Sequence, residues 1–199
     1  MSNIIGILDY GIAGNISNIQ RVVKKAGGEC LIIKSINQLS NVDKIILPGV
    51  GSFKDAIKEL ENKQFISYLQ KETKPILGIC LGMQILTQYG VEYGKTKGLQ
   101  LIDSSTISLE VDVITPHVGF NDIQLSKKSI LFNNISKLEF YFMHSYIIEQ
   151  SKYAISSTTY ANKQFVSSIQ KDHIYGVQFH PEKSRESGIQ LIKNFINLG

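Results

Sequence analysis

The chain has 199 residues, of which 43% are hydrophobic and 19% charged, with 16 glycines; that length and balance suit one folded domain and exclude a disordered or collagen-like chain. Its net charge of +4 comes from 21 basic and 17 acidic residues. Only Lys24-Lys25 and Lys127-Lys128 are adjacent basic pairs, so the sequence lacks the cationic stripe or arm of a nucleic-acid reader. No apolar run approaches the ~20 residues that span a bilayer. The segment from Met1 to Asp9 also lacks the positive stretch and small-residue cleavage site of a signal peptide, so a cytoplasmic protein with no membrane partner is expected.

In chain order, Asn3 to Asp9 reads as a strand, and Ile16, Ile19, Val23 and Ala26 then recur at helical spacing. Cys30 to Lys34 and Lys44 to Leu47 read as strands, and Ser52 is a candidate N-cap for a helix through about Leu60. Pro75 to Ile79 is a fourth strand, followed by a helical stretch from Leu81 to Gln88. This alternation predicts βαβ units around a largely parallel sheet. From Leu99 the pattern changes to successive strands, over 99–109, 120–125, 140–148, 153–159, 165–170 and 174–179. A last helix is expected from Glu186 to Leu198, with Ile189, Ile192, Phe195 and Ile196 on one face. The prediction is a single α/β domain over 1–199, its central sheet mixed but mostly parallel and flanked by helices. Two cysteines cannot build a disulfide scaffold, and both are expected to be thiols, Cys30 as a small core residue. No Cys or His spacing resembles a metal site, and no metal or cofactor is expected.

Gly78-Ile-Cys-Leu-Gly82 sets a cysteine between two glycines, after a buried strand and before a helix. It is the cysteine counterpart of the Gly-x-Ser-x-Gly elbow, in which glycines permit a strained turn that projects a nucleophile from the sheet edge. The helix start beyond it offers N–H donors that favour a thiolate and an oxyanion. Gly176-Val-Gln-Phe-His-Pro-Glu182 ends another apolar strand, and Pro181 turns His180 and Glu182 off its carboxyl end. Parallel sheets gather catalytic groups outside that edge, so Cys80, His180 and Glu182 can meet as nucleophile, proton shuttle and orienter. Leu47-Pro-Gly-Val-Gly51 follows a third strand end, where glycines flanking Val50 let a peptide plane rotate. His117 is read as a loop residue and His173 as a surface turn residue.

These motifs resemble the class I, triad-type glutamine amidotransferases and, within them, the glutaminase subunits of imidazole glycerol phosphate synthase. The resemblance spans nearly the whole chain: Leu8-Asp-Tyr-Gly11 with Gly14-Asn15, Pro48-Gly-Val-Gly51, the Cys80 elbow, Pro116-His-Val-Gly119 with Asn121, Phe140-Tyr-Phe-Met-His-Ser-Tyr146, and Gly176 to Ser184. It implies that Cys80 attacks the carboxamide of L-glutamine, that His180 shuttles protons and that Glu182 orients it. It also implies an oxyanion hole from Gly49, Val50, Gly51 and Leu81, and a substrate site from Gln84, His144, Ser145 and Tyr146. Tyr10, Asn15, Phe120 and Asn121 would lie at an interface and ammonia passage toward a separate (β/α)₈-barrel synthase in a heterodimer. The sequence departs from the family pattern at Ile12-Ala13, one residue longer than usual, and at Phe120, where the usual residue is Trp. These departures fit a paralogous glutaminase that serves amidination of a surface-polysaccharide sugar, the alternative within the class; a non-catalytic docking relative is the alternative outside it.

Overall fold

The computed structural model describes residues 3–11 and 14–198. Ile12 and Ala13, one of the two departures, lie outside them. The first half runs β1 (Ile4–Leu8), α1 (Ile16–Lys25), β2 (Glu29–Ile33), β3 (Lys44–Leu47), α2 (Phe53–Asn62), α3 (Phe65–Leu69), β4 (Ile76–Ile79) and α4 (Leu81–Gln84). The second half runs β5 (Tyr89–Gly90), β6 (Thr96–Lys97), β7 (Ser105–Ser108), β8 (His117–Asp122), β9 (Gln124–Leu125), β10 (Glu139–His144), β11 (Tyr146–Ile147), β12 (Ala154–Tyr160), β13 (Lys163–Lys171), β14 (Ile174–Val177) and α5 (Arg185–Ile196).

Eight strands form one mixed sheet in the order β2-β1-β3-β4-β14-β13-β12-β9. Every neighbouring pair from β2 to β14 is parallel, and every pair from β14 to β9 is antiparallel. Helices cover both faces of the parallel part, so its strands alternate between two apolar cores and need no polar side. Ile5, Ile7, Ile46, Leu77 and Ile79 pack with Ile19 and Val23 of α1 and with Ile192 and Phe195 of α5. Leu8, Ile45, Leu47 and Ile76 pack with Phe53 and Leu60 of α2 and Phe65 of α3. Ser52 caps α2 as its sequence predicts, its Oγ accepting the Asp55 N–H at 3.2 Å.

Four expectations are corrected. The helix expected from Leu81 to Gln88 stops at Gln84, and residues 99–104 are not strand. One packing arrangement accounts for both: the Gln84 carbonyl accepts the Thr87 and Thr106 hydroxyls and the Gln88 N–H goes to the Ser104 carbonyl instead of extending the helix, while the N–H groups of Leu99, Gln100, Leu101 and Ile102 bond the carbonyls of Ile85, Thr87 and Leu86 rather than a strand neighbour. Gly98 permits that approach, because a Cβ there would lie 2.2 Å from the Thr87 oxygen. The strand expected over 140–148 breaks at Ser145 into β10 and β11, which pair with β8 and β7 in two separate small sheets. Likewise 120–125 is split into β8 and β9.

Candidate active site

The carboxyl ends of β4 and β14 are neighbours in register, Ile79 opposite Val177, and the Cys80 N–H donates to the Val177 carbonyl at 2.8 Å. Cys80 sits at φ 54°, ψ −110°, a conformation that costs a non-glycine residue on the order of 1–3 kcal/mol and is kept only where the surroundings enforce it. Both flanking glycines are required by contact. A Cβ on Gly82 would lie 1.8 Å from the Leu47 oxygen, and one on Gly78 would lie 2.6 Å from the Gly82 oxygen. The first N–H of α4, that of Leu81, precedes any intrahelical acceptor and is open beside the thiol.

His180 and Glu182 turn off the end of β14 as expected, with Pro181 opening a short 3₁₀ turn. Both side chains are fully buried, and His180 Nδ1 lies 2.9 Å from Glu182 Oε1. That contact places the proton on Nδ1 and leaves Nε2, which has no hydrogen-bond partner among the described residues, for the thiol side. Burial opposes charge on His180, but Cys80 and Glu182 outweigh it and raise the imidazole to about 10. Burial likewise opposes ionisation of Glu182, yet hydrogen bonds and charge from His180, with a further bond from Asn15, hold its carboxyl below the usual value. The backbone is braced: the His180 N–H donates to the Tyr141 carbonyl at 2.8 Å, and Ser184 Oγ donates to the His180 carbonyl at 2.6 Å.

A cleft of about 230 Å³ opens over the thiol, lined by Val50, Gly51, Cys80, Leu81, Gln84, Glu92, Pro116, Met143, His144, Ser145 and Tyr146. The structure therefore brings the expected nucleophile, two of the three Gly49-Val50-Gly51 residues, Leu81 and all four expected substrate residues to one cavity. Gly49 lies just behind it, against Leu81 and the Tyr10 hydroxyl. The break at Ser145 bends the chain along the cleft wall. Gln84 Nε2 donates to the Tyr146 carbonyl at 2.9 Å and to Gln178 Oε1 at 3.1 Å. Both its protons are thus committed to the protein, and its carbonyl oxygen is the group left for a ligand.

Five residues differ from the sequence expectation or escaped it. Tyr10 and Asn15, expected at a partner face, are buried in this chain: Tyr10 is 0% exposed with its hydroxyl on the Pro48 carbonyl, and Asn15 Nδ2 donates to Glu182 Oε1 at 2.8 Å. His117, read as a loop residue, is the buried first residue of β8. Gln178 was only part of a motif, yet its buried amide donates to Cys80 Sγ at 3.6 Å. The available signal was a lone amide in the apolar run Tyr-Gly-Val-Gln-Phe. Glu92 lines the cleft without any sequence motif to announce it. Phe120 is 38% exposed, as a docking residue needs. Asn121 is half-buried beside it, its amide turned onto the Thr159 carbonyl at 3.1 Å.

A family model described as glutamine amidotransferase class-I matches residues 7–198. This chain belongs to the class I glutamine amidotransferase family. Among curated relatives, the imidazole glycerol phosphate synthase subunit HisH 1 of Campylobacter jejuni (strain RM1221) is 40% identical, the match covering 98% of this chain and 100% of that protein. The HisH 2 subunit of the same strain is also 40% identical, over 96% of each chain. A solved structure described as glutamine amidotransferase superimposes with a TM-score of 0.75 over 98% of this chain and 99% of that one at 14% identity, a likeness of fold. Among the described residues no helix is long and apolar enough to cross a membrane.

Proposed function

We propose that this chain, as one amidotransferase domain over 1–199, is the glutaminase subunit of an imidazole glycerol phosphate synthase, releasing ammonia from L-glutamine for a partner subunit in the cytoplasm. The observation that carries the reading is the buried Cys80, His180 and Glu182 assembly opening into the cleft, supported by the HisH relatives across nearly the full chain. Cys80 passes its proton to His180 Nε2 and attacks the side-chain carboxamide. The Leu81 N–H and the Gly49-Val50-Gly51 turn hold the tetrahedral oxyanion. As that intermediate collapses, His180 returns the proton to the departing ammonia and leaves a γ-glutamyl thioester. Water deprotonated by His180 then hydrolyses the thioester to glutamate and regenerates the thiol. Glu182 keeps Nδ1 protonated throughout. The Glu92 carboxylate and the Gln84 carbonyl oxygen present acceptors suited to the α-ammonium group of the substrate.

In this reading the partner is a separate (β/α)₈-barrel synthase, supported by relatives whose names make them subunits of a synthase. The docking face proposed for it surrounds Phe120, which meets Tyr141 edge-on at 5.5 Å and carries the Arg185 guanidinium 4.4 Å above its ring. Exposed Val118 lies on the same strand. Aromatic and arginine groups of this kind are typical anchors of protein interfaces. The test is reconstitution with candidate barrel synthases while glutamine-dependent product is followed. Formation of imidazole glycerol phosphate supports the reading; turnover only with a surface-polysaccharide synthase transfers the chain to the amidination paralogue.

A further inference from the structure

His117 and His144 lie with Nδ1 and Nε2 3.2 Å apart, both buried, and His144 lines the cleft. The direction of every bond around them is fixed by chemistry. His144 Nδ1 lies 3.0 Å from the Tyr146 carbonyl, which only accepts, so Nδ1 of His144 carries the proton and its Nε2 is an acceptor. His117 Nδ1 must then be the donor to it, which leaves His117 Nε2 as an acceptor. Asn121 Nδ2 stands 3.5 Å from that nitrogen. Its amide orientation is set independently, since Oδ1 accepts the Asp122 N–H at 2.8 Å and Nδ2 donates to the Thr159 carbonyl. Burial keeps both imidazoles neutral, lowering His117 to about 4 and His144 to about 3. The His117 ring is held flat against Phe142 at 4.9 Å and Tyr160 at 4.1 Å.

We propose that His117 is a positioning residue for glutamine binding: it closes a one-way hydrogen-bond relay from Asn121 through His144 to the Tyr146 carbonyl and so fixes the substrate wall of the cleft. That carbonyl is also the acceptor for Gln84 Nε2, whose other proton goes to Gln178, the donor to Cys80 Sγ. The relay therefore begins on β8, next to exposed Phe120, and ends on the residues that shape the glutamine pocket. His117 lies outside the cleft lining and acts only through His144. The inference rests on the glutaminase reading above.

The test is covalent labelling of the full chain at Cys80 by 6-diazo-5-oxo-L-norleucine, a glutamine analogue, beside iodoacetamide, which needs no glutamine site. His117→Phe keeps the stacking but removes the donor to His144, stranding a buried acceptor. The half-saturating analogue concentration should rise about tenfold, with the maximal labelling rate and the iodoacetamide rate unchanged. His117→Gln, whose amide can donate to His144 and accept from Asn121, should return to within about threefold of wild type. An unchanged half-saturation in folded His117→Phe overturns the relay, as does a His117→Gln chain no better than His117→Phe. If His117→Phe does not fold, Asn121→Leu replaces it: about threefold weaker analogue binding supports the relay, and wild-type binding overturns it. Failure of the wild-type chain to label at Cys80, although iodoacetamide alkylates it, instead overturns the glutaminase reading and this inference with it.

Discussion

Asn15 donates its side-chain amide to Glu182 Oε1 at 2.8 Å, onto the same oxygen that faces His180 Nδ1 at 2.9 Å. The Cys80, His180 and Glu182 cluster thus has a fourth buried member, supplied by the residue that precedes α1. Replacing it by leucine removes a donor that favours the ionised carboxylate, so Glu182 should become harder to ionise. In Asn15→Leu we expect glutamine turnover to fall about tenfold and the acid limb of the pH–rate profile to move to higher pH. A profile that keeps its acid limb would show that Asn15 does not tune Glu182.

Cys80→Ser should abolish γ-glutamyl-enzyme formation and glutamate release, measured by mass spectrometry and coupled assay. Glu182→Gln should retain more activity than loss of the thiol, because it alters only the orientation and basicity of His180.

The positive φ of Cys80 adds a stability prediction. Cys80→Gly relieves a conformation that Cys80→Ala retains. Of these two inactive variants, the glycine chain should be the more stable by about 1 kcal/mol in urea titration. Equal midpoints would mean that the elbow stores no strain.

Gly82→Ala places a Cβ on the Leu47 carbonyl, part of the backbone rather than a yielding side chain. The collision should destabilise the fold by about 3 kcal/mol and prevent the elbow from closing. A thermal midpoint equal to wild type would contradict it.

Stability should also follow the titration of the buried pair. Glu182 is held below its ordinary value of 4.5, so its contribution is present above that value and is lost as the pH falls through the lowered one. His180 is raised from 6.5 to about 10, so its contribution is complete below 6.5 and is lost as the pH rises toward 10. Both contributions are complete between 4.5 and 6.5. The urea-midpoint difference between wild type and His180→Asn should therefore be larger at about pH 6 than at about pH 9.5. A constant difference would refute the coupling.

The sequence by itself determined the parallel half of the sheet, because strands covered on both faces must be apolar throughout and helices must show a 3.6-residue stripe. It determined the elbow too: only glycine fits against the Leu47 and Gly82 carbonyls, so the need for close backbone contact is written locally as Gly-x-Cys-x-Gly. Cys80, His180 and Glu182 were legible because each ends an apolar strand, and parallel strands carry their ends to one edge. Tertiary structure alone decided the one-turn length of α4, since the Gln88 N–H that would have extended it goes to the Ser104 carbonyl and the Gln84 carbonyl takes the Thr106 hydroxyl. It alone turned Asn15 onto Glu182, Gln178 onto the thiol and His117 onto His144, pairings separated by 167, 98 and 27 residues. A polar side chain shows no periodicity that names its partner. Its hydrogen bond exists only once the chain has closed around it and removed the water that would otherwise have served.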